Sequence, residues 1–349
     1  MRRFSLLSSL LCFSAACVRG AGGSSADGGL SGYDGPSITV DVDSGVTSFT
    51  LSLGPIAVPA GPFERTRCVT KRLGNTRQIH VNRIHNQLGP TSHHAIIYRT
   101  ADTVEEPTPI DCKPFTETLD PTRGAPLVIT QKSDELVSLP PGVAYTFEAN
   151  QMVRIELHYI NLTKNEMMAS ETTTFETIPD SEFQNEAGLL FIGDPDIRIQ
   201  PMSTFTLGPV FFPLPEYLAD AHFFAITGHE HQWGTNVKIS VMDSDLGGAT
   251  PVYDVPNWLW SEPETVYPAV PFGVPKGGGF SFTCEWYNRS GSVIHFGESA
   301  QNEMCFFWAY YYPSQGSFVC LHTDQLAGGF DLCCPGDANC ALAKQYLGQ

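Results

Sequence analysis

Positive charge is what this chain is shortest of. In 349 residues, 20 lysines and arginines stand against 37 aspartates and glutamates, a formal net charge of −17. So acidic a surface repels phosphate backbones and anionic lipid, which excludes a nucleic-acid partner and leaves small neutral or cationic ligands open. There is no long helical heptad and no internal repeat of roughly 20 to 50 residues. No C-x-x-C pair is present, so a zinc knuckle is excluded. The segment T-G-H-E-H-Q-W-G, Thr227 to Gly234, carries a glutamate between two histidines, but not the spacing of H-E-x-x-H. A zinc-protease helix is therefore excluded too. The apolar run at the N-terminus is too short to span a bilayer.

What the chain has instead is strand-forming sequence. It is 42% hydrophobic and 16% charged, with 32 glycines and 26 prolines punctuating short runs rich in Val, Ile, Thr, Phe and Tyr. Such runs read as strands joined by turns, and the length suits two domains. Strand-like runs begin at S-I-T-V-D-V and recur through M-V-R-I-E-L-H-Y-I. A polar stretch from Thr172 to Gln184 precedes a second series, which opens at G-L-L-F-I. The expected organisation is an export signal (1–17), a Gly/Ser-rich tether (18–36), two sandwiches (37–180 and 181–322) and a Cys-rich tail (323–349). A long irregular connection, Val255 to Gly279, interrupts the second series, and loops of this kind often carry function.

The N-terminus M-R-R-F-S-L-L-S-S-L-L-C-F-S-A-A-C has the layout of an export signal. Two readings of its end stand side by side. S-A-A-C resembles a lipobox, with Ser14 where an aliphatic residue is usual, which would lipidate Cys17 and attach the protein to a membrane. Ordinary cleavage near Ala16 or Gly20 would release it instead. Either way the mature chain leaves the cytoplasm, as a periplasmic or outer-membrane lipoprotein or as a secreted protein. Eight cysteines remain, Cys68, Cys112, Cys284, Cys305, Cys320, Cys333, Cys334 and Cys340, an even number suited to disulfides. The last four crowd the tail and allow three connectivities among themselves.

The histidines carry the chemistry. In extended chain, residues i and i+2 share a face, so His229 and His231 converge as two neutral nitrogen donors. In M-V-R-I-E-L-H-Y-I, alternation puts Val153, Ile155, Leu157 and Tyr159 on one face and Arg154, Glu156 and His158 on the other, so His158 faces away from the core. Taken alone, that reads as a surface histidine. His93 and His94 are adjacent and could share a metal only where the backbone is irregular, as it can be directly after Gly89-Pro90. Met304, in N-E-M-C, reads by itself as core packing. Joined to two imidazoles, its thioether makes a soft donor set that favours Cu(I) over zinc.

Five stretches together resemble the catalytic core of the type II copper, ascorbate-dependent monooxygenases, the group of peptidylglycine α-hydroxylating monooxygenase and dopamine β-monooxygenase. They are R-C-V-T-K-R-L with Cys68, the S-H-H-A pair, E-L-H-Y with His158, H-x-F-x-x-x-x-H-x-H-x-x-G from His222 to Gly234, and N-E-M-C with Met304 and Cys305. Their order matches over about residues 37 to 322. The resemblance implies two antiparallel jelly-roll sandwiches in tandem and two coppers per chain. One copper would be held by His93, His94 and His158, the other by His229, His231 and Met304, where O2 binds. It implies ascorbate or a similar reductant, a small-molecule substrate, and disulfides Cys68–Cys112 and Cys284–Cys305. Glu156 and His222 are read as neighbours that orient ligands.

The chain departs from the peptide-amidating members in three places. Thr227 stands where they have an arginine, and Phe306 and Trp308 where they have the asparagine and tyrosine that hold a peptide carboxylate. No cysteine lies just beyond Tyr98, so one family disulfide is missing. Two other readings compete with an enzyme: a non-enzymatic copper-binding protein and a structural β-sandwich lipoprotein. Nothing in the sequence sets an oligomeric state.

Overall fold

The computed structural model describes residues 37–40, 46–113, 124–325 and 329–341; the export signal, Cys17 and the tether lie outside them. Residues 34–349 form one compact unit. Among the described residues, apart from a 3-10 turn at Glu216–Leu218 and the helical residues Cys340 and Ala341, every regular element is a strand, as the turn-punctuated apolar runs predict. Among the described residues no helix is long and apolar enough to cross a membrane.

Two sheets come from the first half. An outer seven-stranded sheet sets Thr47–Val58, Met167–Ile178 and Ile79–Leu88 side by side. The inner, five-stranded sheet runs in the order Glu106–Asp111, Phe63–Arg72, Met152–Asn161, Ser92–Thr100, Gly124–Thr130. Residues Asn185–Glu186 still pair with the first half, parallel to Val143 and Ala144. From Gly188 onward the chain builds a six-stranded sheet centred on His222–His229, Phe306–Tyr312 and Gly188–Gly193. Behind it lies a four-stranded sheet of Ser203–Pro213, Gly279–Asn288, Gly234–Met242 and Thr250–Asp254. The tail strand Phe330–Cys334 extends the six-stranded sheet by pairing with Phe318–Thr323.

Period-two alternation decides which residue joins which core. Along Phe306–Tyr312, Phe306, Trp308 and Tyr310 enter one apolar cluster while Phe307, Ala309 and Tyr311 enter another. The first cluster runs from Phe49 and Phe175 of the outer sheet, through Ile155 and Leu157, to Trp308 and Tyr310 of the second half. The Ile129 amide donates to Tyr310 Oη across that junction at 3.3 Å. The two central sheets are therefore covered on both faces, which parallel or antiparallel strands can bear only when both residue sets avoid unpaired charge.

This arrangement corrects the surface reading of His158. The face carrying Arg154, Glu156 and His158 does turn away from the first core, yet those residues are only 8%, 0% and 2% exposed. Groups of the second half, Trp260 and Ser299 among them, cover it. Four disulfides close the structure: Cys68–Cys112, Cys284–Cys305, Cys320–Cys333 and Cys334–Cys340. Of the three connectivities open to the tail, the fold selects the one in which the paired strands Phe318–Thr323 and Phe330–Cys334 set Cys320 opposite Cys333.

Candidate metal centres

The first centre is made by a break in register. His158 pairs with His94, while the next residue, Tyr159, pairs with Ser92, so His93 is the extra residue of a bulge. A bulge turns a residue that would point to the far face back toward its neighbour's side. His93, His94 and His158 consequently offer ligand atoms that all lie within 4.8 Å of one another. The His94 and His158 rings are 4.8 Å apart, and His93 lies 5.4 Å from His94 and 5.5 Å from His158. Burial holds His93 down to about pKa 3 and His94 well below the ordinary histidine range. Both are neutral at physiological pH, the form in which imidazole ligates metal.

Hydrogen bonds choose the donor nitrogen. His158 Nε2 lies 2.9 Å from Glu64 Oε1. Burial alone would raise the Glu64 pKa, but hydrogen bonds from His158 and the Ala300 amide, with the charge of His158, outweigh it and bring it to about 2. An ionised carboxylate only accepts, so Nε2 donates to it, and Nδ1 is the nitrogen left to face a ligand. That Nδ1 and His93 Nε2 have no hydrogen-bond partner among the described residues.

The second centre sits at a strand end. His229 closes the strand His222–His229 opposite Phe306, and His231 comes two residues later, before the turn at 232–233, with ring centroids 5.0 Å apart. His229 Nδ1 is 2.8 Å from Gln131 Oε1, and His231 Nδ1 is 3.2 Å from the Asn302 carbonyl. Each bond fixes the proton on Nδ1, and His229 Nε2 has no partner among the described residues. Burial pushes the His229 pKa well down and that of His231 to about 4. Glu303 ties the turn together. Its carboxylate accepts the amides of His231 and Trp233 and the Trp286 indole N–H, at 2.8, 2.7 and 2.9 Å. Burial raises the Glu303 pKa to about 7, and that of Glu230, on the opposite face of the turn, well above the carboxylate range. Met304 lies two residues before the partner of His229, with its side chain 4% exposed in the apolar cluster of Phe306 and Trp308.

Of the two expected neighbours, Glu156 shares the face of His158 and His222 lies apart. His222 starts the strand that His229 ends, seven residues or about 23 Å away. It is exposed, with its ring against Tyr312. Glu156 accepts from Tyr98 Oη at 3.0 Å. The groups that orient the ligand rings are Glu64, Gln131 and the Asn302 carbonyl, none of which adjoins a histidine in sequence. Glu303 was within reach of sequence reasoning, because it directly precedes Met304 in N-E-M-C. The positions of the family's carboxylate-binding residues are closed here: Thr227 donates to Thr265 Oγ1 at 2.9 Å, and Phe306 and Trp308 stack on Phe191.

A cleft of about 810 Å³ opens at His93 of the first set and reaches Gln131, the partner of His229; Glu64, Phe63, Trp260 and Glu262 also line it. Trp260 comes from the long second-half connection and stands 5.2 Å from the His93 ring.

An all-β scaffold presenting two sets of buried, convergent imidazoles defines a candidate metalloprotein. The class narrows through residues 195–326, which match the copper type II ascorbate-dependent monooxygenase, C-terminal domain. That region, which contains His229, His231 and Met304, is similar to the C-terminal domain of the copper type II ascorbate-dependent monooxygenases, and the match supports the resemblance to that family. His93, His94 and His158 precede the matched segment. No curated protein matches the chain. Among solved structures, a recombinant N-glycanase F (PNGase F) matches at 10% identity over 75% of this chain and 94% of that one. Its TM-score is 0.26, too low for any argument.

Proposed function

We propose that this protein is an exported copper-dependent monooxygenase acting on a C–H bond of a small organic substrate. The balanced reaction is R–H + O2 + 2 e− + 2 H+ → R–OH + H2O, with the electrons from ascorbate or another reductant. The observation that carries the reading is the pattern of nitrogens: in both halves an oxygen acceptor occupies one ring nitrogen of a buried histidine, and the other ring nitrogen has no hydrogen-bond partner among the described residues. Buried polar atoms are seldom left so unless a ligand completes them. In this reading His93, His94 and His158 hold one copper, and His229, His231 and Met304 the other. Copper at the thioether set supplies the O2 chemistry when bound, and the all-imidazole set suits a metal that passes electrons. Division into two jelly-roll sandwiches at 37–180 and 181–322 belongs to the same proposal.

The chain's own residues supply positioning and exclusion of water. Glu64, Gln131 and Asn302 fix ring tautomers, and Trp260 and Phe63 wall the cleft. None of the described residues lining the cleft is a lysine or arginine. Nothing there would receive a substrate carboxylate, so a neutral or cationic substrate fits and a glycine-extended peptide does not. Four disulfides support folding outside the reducing cytosol. Lipidation of Cys17 would then hold the protein at a membrane. The test is copper-loaded protein given reductant and 18O2 with a panel of amines, phenols and peptides. Product mass should rise by one labelled oxygen, and reductant-dependent O2 uptake should require copper. Two bound coppers without any O2 uptake would favour a copper-binding protein without turnover.

A further inference from the structure

We propose that Glu64 is a positioning residue shared by both centres, one carboxylate that holds the His158 ring and fastens the segment carrying the partners of His231. The inference rests on reading the two histidine sets as metal sites. Glu64 lies in the strand Phe63–Arg72, opposite Ile160, and so on the same face of the inner sheet as His158. Its Oε1 accepts from His158 Nε2 at 2.9 Å and from the Ala300 amide at 3.0 Å, and its Oε2 accepts from Ser299 Oγ at 3.0 Å. One donor belongs to the first half and two to the second.

The residues just beyond Ala300 give the contact its consequence. Two positions on, the Asn302 carbonyl receives the Nδ1 proton of His231. Glu303 comes next and gathers the His231 and Trp233 amides, and Met304 adjoins it. A shift of residues 299–300 is thus passed to the partners of His231 within four residues. Gln131 reaches back from the first half to His229, so each centre depends on a group from across the junction. Three donors converge on this one carboxylate, so its loss releases all three together. The path His158, Glu64, Ala300, Asn302, His231 also joins the two sets through covalent and hydrogen bonds alone.

Hydrogen–deuterium exchange on the metal-free full chain tests the clamp without reference to copper. In Glu64→Ala the Ala300 amide and its neighbours up to Met304 should exchange at least about tenfold faster. In Glu64→Gln, whose amide oxygen still accepts, the rise should be about threefold. Unchanged exchange in both variants overturns the proposal, and if Glu64→Ala does not fold, Glu64→Gln alone decides. Pulsed electron paramagnetic resonance on Cu(II)-loaded protein then reads the separation of the centres. We expect the wild-type distance distribution in Glu64→Gln and a broadened or longer one in Glu64→Ala; identical distributions overturn the sharing of Glu64 between centres. A wild-type chain that binds no copper sinks the proposed function, whereas bound copper with unmoved exchange sinks only the clamp.

Discussion

In the first half, Gly54 (φ +96°) sits where the pairing of Thr47–Val58 with Met167–Ile178 jumps from Ile56–Ala169 to Leu53–Glu171. In the second, Gly208 (φ +102°) sits where Ser203–Pro213 jumps from Val210–Phe282 to Leu207–Cys284. A Cβ would lie 2.8 Å from the Ala169 carbonyl in one case and 2.5 Å from that of Phe282 in the other, so only glycine fits either bulge. Asn161 and Asn288 repeat a second device. Each buried amide donates to three carbonyls, and each Oδ1 accepts the N–H and hydroxyl two residues on. The halves share carpentry and differ at the end that carries the candidate metal centres. Register within one sheet sets the first centre, whereas a strand end, a turn and a loop fastened from the other half set the second. A centre fixed by ladder hydrogen bonds resists displacement better than one fixed by side chains, so the second is the one a distant change will perturb.

Removing one ligand from each side is the harshest test of that contrast. His158→Ala and His229→Ala should each lower copper from two to about one per chain, measured by metal analysis, and each should abolish most turnover. Loss of both coppers in either variant would mean that the centres are not separable. Met304→Leu comes next. It conserves volume and should cost less than about 1.5 kcal/mol in chemical denaturation, yet weaken Cu(I) binding at His229 and His231 and remove most O2-dependent turnover. Unchanged Cu(I) affinity would return Met304 to the core packing that its burial also suits.

Glu303→Ala should destabilise by about 3 kcal/mol or more, because three buried donors lose their acceptor. Copper binding should suffer in the second half only. Asn161→Ala and Asn288→Ala should cost about 2 to 3 kcal/mol each and agree within about 1 kcal/mol, since the same bonds are lost. Both asparagines stand in N-x-[ST] sequences, and with 0% exposure neither should carry a glycan in a eukaryotic secretory host, as intact-mass measurement will show. The smallest effect belongs to the tail, which has no counterpart in the first half. His322 Nδ1 lies 2.7 Å from Asp331, and this bond raises its pKa against the pull of desolvation. A raised folded pKa means that the bond's contribution is complete below the unfolded value of about 6.5 and fades as pH rises through the folded one. His322→Gln should lower stability by about 1 kcal/mol or less near pH 5.5 and by less near pH 8.5, read from melting curves.

Much of this molecule is legible from its residues. Apolar runs cut by glycine and proline specify strands whatever their partners are, and the alternation of side chains along a strand puts His229 and His231 together. His158 shows the boundary. Alternation turns it from the first core, but only a second sheet packed over that face can say that it is buried. His93 and His94 mark another: an irregularity after Gly89-Pro90 is readable, whereas a one-residue bulge at His93 depends on how Ser92–Thr100 registers against Met152–Asn161. His222 misleads because a shared strand is not a shared site, and residues seven apart stand a strand's length from each other.

The sequence by itself therefore determined the class of fold and the even count of cysteines, because each depends on residue type and on spacing along one strand. Only the tertiary structure decided that Glu64, Gln131 and Asn302 set the ring tautomers, and that Cys320 pairs with Cys333 and Cys334 with Cys340. Those choices join residues far apart in the chain. Glu64 and His158 are 94 positions apart, Gln131 and His229 are 98, and no local pattern records which distant strand will arrive alongside.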